Sequence, residues 1–191
     1  TITAVETLRK RKKIIIDPEE GPLASLHEGK GRLPNITTII NAIRETFKVA
    51  LPLKGKNVLV TAGPTQEPID SVRYISNRSS GKMGFSIAQS AQNLGANVTL
   101  VTGPTQLNDI PGINTIHIKT SDEMLQSVND NLDVDYIVMN AAISDYKTEN
   151  IISGKIKKDN QDFKMDLIPT IDILDNIQPN PNTCIVGFAL E

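Results

Sequence analysis

"NVLVTAGPTQEPIDSVRYISNRSSGKMGFSIAQSAQNLG", residues 57–95, changes period partway along. Its opening run, Asn57–Ala62, is almost uninterruptedly apolar and rich in Val, as a strand buried on both faces requires. From Met83 onward the apolar residues recur at Ile87, Ala88, Ala91 and Leu94, which is one face of a helix over 83–94. Gly95 then supplies a helix stop. Between strand and helix lies a loop with glycines at 63 and 81 and a cluster of polar residues, Asn77, Arg78, Ser79, Ser80 and Lys82. Backbone N–H groups at such a turn, together with a helix N-terminus, favour an anion. Gly63 and the Ser79-Ser80-Gly81 turn are therefore the candidate phosphate nest, with Arg78 and Lys82 as counter-charge. The alternative is that Gly81 and Gly84 only permit a tight turn and close helix packing.

The same alternation continues downstream. "GANVTLVTG" (95–103) reads as a second strand and "INTIHIKT" (113–120) as a third. Ser121 is the expected cap of a helix "DEMLQSVNDNL", which carries acidic residues in its first turn. "DYIVMNAA" (135–142) reads as a buried strand, "TIDILDNI" (170–177) as a short helix, and "TCIVGFAL" (183–190) as another buried strand that includes Cys184 as a small core residue. Residues 143–168 are charged and weakly periodic, either a mobile loop or a β-arm. The expected fold class is α/β: a Rossmann-like, mostly parallel sheet with helices on both faces and a flexible arm over the active site. In such sheets the ligand sits at the carboxyl ends of the strands. Those ends are "TAGPT", "VTGPT", "NAAISDY" and "GFALE"; the echo of "GPTQ" at 63–66 and 103–106 marks two similar strand exits rather than a repeat.

Residues 1–50 differ in texture. "KKIIIDP" reads as a short strand closed by Pro18, "EEGPLASLHEGKGRLP" as a Gly-rich loop, and "NITTIINAIRETF" as a helix capped by Asn35 with Ile36, Ile39, Ile40 and Ile43 on one face. A linker around 48–56 separates this segment from the α/β domain, giving expected domains of 1–50 and 51–191.

Composition narrows the function classes. The 191 residues carry 20 basic and 22 acidic side chains, so no global field points to nucleic acid or a membrane. Aromatics make up 4% and Trp is absent, which argues against base-stacking platforms. A single cysteine excludes a disulfide framework and suits a reducing, cytoplasmic setting. No apolar run approaches the ~20 residues of a membrane helix. The first residue is not Met and the last strand stops at Glu191, so a trimmed or C-terminally incomplete chain is expected.

Individual side chains leave several chemistries open. Asn77 is a turn former or a donor to a developing oxyanion. Asp145, at a strand end, is an exposed carboxylate or an anchor for a metal or a ribose. "KIKK" (155–158) is a solvated charge run or a clamp for a triphosphate. His27 and His117 lack metal-ligand spacing, and His117 is most simply a surface residue. "MNAAI" is similar to an element of short-chain dehydrogenases, but "GPTQEPID" is not their glycine motif and no Tyr is followed four residues later by Lys. "SSGKMG" lacks the upstream glycine of a P-loop. A nicotinamide-dependent oxidoreductase and a non-catalytic nucleotide-binding fragment remain as alternatives.

Taken together, "VTAGPTQEPIDSVRYISNRSSGKMG", "GANVTLVTGP", "NAAISDY", "KIKK" and "IVGFALE" resemble the phosphopantothenoylcysteine synthetase family of coenzyme A biosynthesis, in the family's order. The resemblance implies a cytoplasmic, homodimeric ligase that takes 4'-phosphopantothenate, cysteine and CTP with Mg2+ and passes through an acyl-cytidylate. It assigns Asn77 and Lys155 to catalysis. It assigns Gly63, Ser79, Ser80, Gly81, Ala141, Ala142, Asp145, Lys155, Asp172, Ile173 and Phe188 to the nucleotide, and Asn77 and Arg78 to substrate. Ile171 stands where the family usually has Pro. Residues 14–47 resemble the end of the flavin-dependent decarboxylase to which such synthetases are often fused. There Ser25 replaces the family's catalytic Cys and His27 its Asp, so FMN is expected only in a full-length bifunctional protein.

Overall fold

The structure, a computed structural model, describes residues 2–22, 28–47, 51–157 and 163–189. It divides into two compact units, Thr1–Ala50 and Leu51–Glu191.

The first unit contains α1 (Ile2–Lys10), β1 (Glu19–Pro22), β2 (Glu28–Arg32) and α2 (Ile36–Phe47). The cap on α2 is as expected: Asn35 Oδ1 accepts from Thr38 N at 2.8 Å. Two expectations fail here. "KKIIIDP" forms no strand, because its backbone groups find no neighbouring strand, and Ile14 lies exposed. The segment read as a loop instead pairs with itself, β1 antiparallel to β2 from Glu19↔Arg32 to Pro22↔Glu28. Short polar strands of this kind carry no hydrophobic period to announce them. Ser25 and His27 lie outside the described residues.

The second unit contains β3 (Asn57–Ala62), β4 (Gln66–Pro68), β5 (Tyr74–Ser76), α3 (Lys82–Asn93), β6 (Asn97–Thr102), β7 (Asn114–His117), α4 (Ser121–Asn129), β8 (Tyr136–Met139), β9 (Tyr146–Thr148), β10 (Leu167–Pro169), a 3-10 turn (Leu174–Asn176) and β11 (Cys184–Gly187). Five strands form one parallel sheet in the order β11-β8-β3-β6-β7. The chain starts at the centre with β3, steps through β6 to β7, then crosses back to β8 and β11. The winding direction reverses between β3 and β8, and a crevice opens at such a switch point.

Alternate residues of β3 feed opposite cores. Val58, Val60 and Ala62 pack with Phe85, Ala88 and Ala91 of α3. Leu59 packs with Val101, Ile137, Met124 and Val128 on the other face, together with Ile173 and Ile177. Contact between α3 and β3 is so close that a Cβ on Gly84 would lie 2.5 Å from the Ala62 Cβ. The Rossmann-like α/β fold with helices on both faces is thus realised.

Four local readings need correction. Thr120, not Ser121, caps α4: Thr120 Oγ1 accepts from Glu123 N at 3.2 Å, and the Glu123 carboxylate accepts from Thr120 N. The strand read over 135–142 stops at Met139, because the N–H groups of Asn140 and Ala141 turn onto Thr61 Oγ1 at 3.0 and 3.1 Å. The helix read over 170–177 is only a 3-10 turn, organised by Asp172 Oδ1, which accepts from Leu174 N and Asp175 N. Finally, β11 is an edge strand exposed along its whole length, and Cys184 is exposed with it. In the described part of the 143–168 segment, β9 pairs antiparallel with β10, which is the pairing of a β-arm.

Candidate functional site

At the switch point lies a cavity of about 530 Å³, lined from three strand ends. Thr61 comes from β3, Met139 and Ala141 from the end of β8, and Gly187 and Phe188 from the end of β11. The loop 143–145 and residues 170–174 close its remaining sides. Of the predicted nucleotide residues, Ala141, Asp145, Asp172, Ile173 and Phe188 line this cavity. Ile173 is mainly a core residue that also meets the wall, and Phe188 is held by its N–H to Met139 O at 3.0 Å. Thr170 fastens the far wall to the loop, its N–H donating to Asp145 O and its hydroxyl to Ser144 O.

The predicted phosphate nest stands next to this cavity. Gly63 and Gly81 both have positive φ, 71° and 73°, which only glycine adopts freely. A Cβ on Gly81 would lie 3.4 Å from the Gly63 backbone and 2.7 Å from Thr105 Cγ2, so the two turns touch. Gly63 O accepts from Ala142 N at 2.8 Å, which joins the nest to the β8 exit. Gly81 is the N-cap of α3 and provides no side-chain cap, leaving the first N–H groups of that helix for a ligand. Ser79 Oγ accepts from Gly81 N at 3.3 Å, whereas Ser80 is exposed.

Asn77 follows the β4–β5 hairpin, and that hairpin is tied down at several points. Thr65 Oγ1 accepts from Ser144 N at 2.9 Å, and Ser76 Oγ donates to Thr65 O at 2.7 Å. Gln66 N donates to Lys119 O. Glu67, almost fully buried, accepts from Ser121 N at 2.8 Å at the start of α4. The outcome is that Asn77 Nδ2 donates to Ile143 O at 2.8 Å, on the rim of the cavity and two residues from Asp145. Asn77 and Asp145 therefore share one edge of the molecule.

Lys155 and Arg78 do not join this group. Both are exposed and neither lines the cavity. The arm residues near Lys155 are fastened instead to the hairpin turn, through Ile152 N to Ile69 O at 3.1 Å and through Ile156 to Asp70 and Arg73. Lys158 lies outside the described residues. Sequence reading passed over Thr61, Thr65, Glu67, Asp70 and Arg73. All five fall inside or beside the "VTAGPTQEPIDSVR" block, and the available signal was a polar residue within an otherwise buried pattern.

Among the described residues no group of three His, Cys, Asp or Glu is placed to cage a metal. Magnesium needs less than that, since it usually binds one or two carboxylates plus substrate phosphates. Asp145 and Asp172 both line the cavity, so carboxylates of the kind that hold such an ion are present there.

The family described as "DNA/pantothenate metabolism flavoprotein C-terminal domain" matches residues 53–191. The chain belongs to that family. Among curated relatives, the coenzyme A biosynthesis bifunctional protein CoaBC of Borreliella burgdorferi is 40% identical over 97% of this chain and 50% of its own length. CoaBC of Haemophilus influenzae is also 40% identical, over 97% of this chain and 47% of its own length. The chain thus spans about half the length of the curated relatives it matches. A solved C-terminal domain of CoaBC superposes with a TM-score of 0.63 at 39% identity, over 73% of this chain and 66% of that one. The fold alone extends to a Cab2 mutant, H337A, solved in complex with phosphopantothenate-cysteine, at 18% identity and a TM-score of 0.52 over 74% of this chain and 66% of that one. Membership of the flavoprotein C-terminal domain family agrees with the resemblance read from the sequence blocks. Among the described residues no helix is long and apolar enough to cross a membrane.

Proposed function

We propose that residues 51–191 form a phosphopantothenate–cysteine ligase domain of coenzyme A biosynthesis that uses CTP and passes through an acyl-cytidylate. The observation that carries this reading is the position of the Asn77 amide, on the rim of the switch-point cavity and beside the Gly63–Gly81 nest. The CoaBC relatives and the ligand named in the Cab2 complex support the substrate class.

In the first step the carboxylate of 4'-phosphopantothenate attacks the α-phosphorus of CTP and pyrophosphate leaves. Two anions must meet, so positive potential is needed where they approach. The open N–H groups at the start of α3 and the Ser79–Gly81 turn supply it, with the exposed Arg78 and Lys155 as cations. Cytidine lies against Ala141, Ala142, Asp172, Ile173 and Phe188. Asp145 faces the ribose or a Mg2+ ion borne on the phosphates, an ion that would offset charge and orient the leaving group. In the second step the cysteine amine attacks the acyl carbon and CMP departs. The Asn77 side-chain NH2 donates to the oxygen that gains charge on that carbon. The domain acts as a homodimer, and FMN belongs to the decarboxylase half of a full-length bifunctional protein.

Asn77→Asp tests the central assignment. It preserves shape but replaces the donor with a negative oxygen. Pyrophosphate release should persist, while amide formation falls about 10²–10³-fold, the usual cost of losing one oxyanion donor. Amide formation at the wild-type rate would overturn the role of Asn77. Thermal protection by NADPH rather than CTP would overturn the ligase reading in favour of an oxidoreductase.

A further inference from the structure

The turn between β4 and β5 grips the charged arm by its main chain. The Asp70 side chain is fully buried and accepts from Val72 N and Arg73 N through Oδ1, both at 2.7 Å. Those two bonds suffice to close an Asx-type turn. The second oxygen, Oδ2, takes Arg73 Nη1 at 3.0 Å and also Ile156 N at 3.1 Å. Arg73 Nη2 in turn donates to Ile156 O at 3.3 Å. One ion pair thus engages both polar backbone groups of a single residue, flanked by the exposed Lys155 and Lys157. Burial alone would raise the Asp70 pKa, but the N–H groups of Val72, Arg73 and Ile156 and the Arg73 charge outweigh it and hold the carboxyl below its ordinary value. The acceptor therefore stays ionised at neutral pH. Since the grip is on backbone, it sets the position of the arm without using either lysine side chain.

We propose that Asp70 and Arg73 form a latch that holds the Lys155–Lys157 segment in register with the hairpin carrying Asn77, which makes them positioning residues for the arm cations. The consequence for turnover rests on the ligase reading above; the latch itself does not. Asp70→Asn keeps Oδ1 for the turn but sets an NH2 donor against Ile156 N and Arg73 Nη1. Arg73→Lys keeps the charge but replaces two separate nitrogens, one on Asp70 and one on Ile156 O, with a single ammonium that lacks the fork's fixed geometry.

Amide hydrogen exchange on the full chain, read on a peptide spanning 150–157, tests the latch. Both variants should exchange at Ile156 about tenfold faster than wild type, with the β3 and β6 amides unchanged as a control for folding. In parallel, kcat for pyrophosphate release with CTP, phosphopantothenate and cysteine should fall about tenfold to a hundredfold, while KM for cysteine holds. Ile156 exchanging at its unprotected rate in wild type, or unmoved by both variants, would overturn the latch. Lost protection with an unchanged kcat would overturn its positioning role. Lost protection in variants of a protein that releases no pyrophosphate at all would uphold the latch and sink the ligase reading.

Discussion

β3 and β11 look alike as sequence and differ completely in the folded domain. "NVLVTA" and "CIVG" are both short, apolar and rich in β-branched residues. In β3 every residue after Asn57 is buried, between β6 and β8 and under α3 on one face. In β11 all four residues are exposed, and among the described residues the strand pairs only with β8. A run of apolar residues thus specifies extended backbone, whereas cover comes from neighbours remote in sequence. The contrast also separates two duties within the site. Thr61 of β3 pins the β8 exit and shapes the cavity floor, while Gly187 and Phe188, at the end of β11, form an open wall.

The contrast can be broken by substitution. Leu59→Ala, at a fully buried position, should cost about 2–5 kcal/mol in chemical denaturation. A loss under about 1 kcal/mol would mean that β3 is not the centre of the core. Gly84→Ala should cost about 1–3 kcal/mol, because the added methyl must push α3 off Ala62. Wild-type stability for that variant would show that the helix can retreat freely. Ile185→Ala, on the exposed strand, should stay below about 1 kcal/mol by the same assay. A cost equal to that of Leu59→Ala would show that β11 is covered in solution.

Asp135 sharpens the comparison because it touches the start of both strands. Its Oδ2 accepts from Asn57 N at 2.8 Å, and its backbone oxygen accepts from Cys184 N at 2.9 Å. The hydrogen bond from Lys56 Nζ, at 2.7 Å, and that from Asn57 N hold the Asp135 carboxyl below its ordinary pKa. A carboxyl depressed on folding stabilises above its unfolded pKa of about 3.9, and that contribution is lost as pH falls through the lower folded value. Lys56 is raised, chiefly by the hydrogen bond to Asp135, so its share is lost only as pH climbs through the folded pKa above its ordinary value. Thermal unfolding followed from about pH 6 down to pH 3 should show an acid-side fall that Asp135→Asn flattens. Identical slopes in the two proteins would show that this pair is not linked to folding.

Much of the scaffold was legible because periodicity is a local property. The pattern from Asn57 to Leu94 reports strand and helix directly, since side-chain direction follows backbone geometry residue by residue. The α/β class follows from it, and of the four strand ends expected to meet, those of "TAG", "NAA" and "GFA" line the cavity while that of "VTG" does not. The identity of Asn77 as a candidate was legible too, from the length and specificity of its block. The β1–β2 hairpin was not, because Glu19–Pro22 and Glu28–Arg32 pair through backbone without an apolar stripe. Nor was the grip of Asp70 and Arg73 on Ile156, more than 80 residues away in the chain, since a carboxylate in "PID" and a guanidinium in "SVR" have no local mark of their distant partner.

The sequence by itself determined the alternation of apolar strands and amphipathic helices from Asn57 to Asn129 and the glycines of the two turns at 63 and 81. Only the tertiary structure decided that β11 stands uncovered, that the cavity opens between β3 and β8, and that the arm is held at Ile156 rather than at its lysines. Local backbone preference is encoded within a few residues, but burial and pairing depend on which distant segments arrive at the same place.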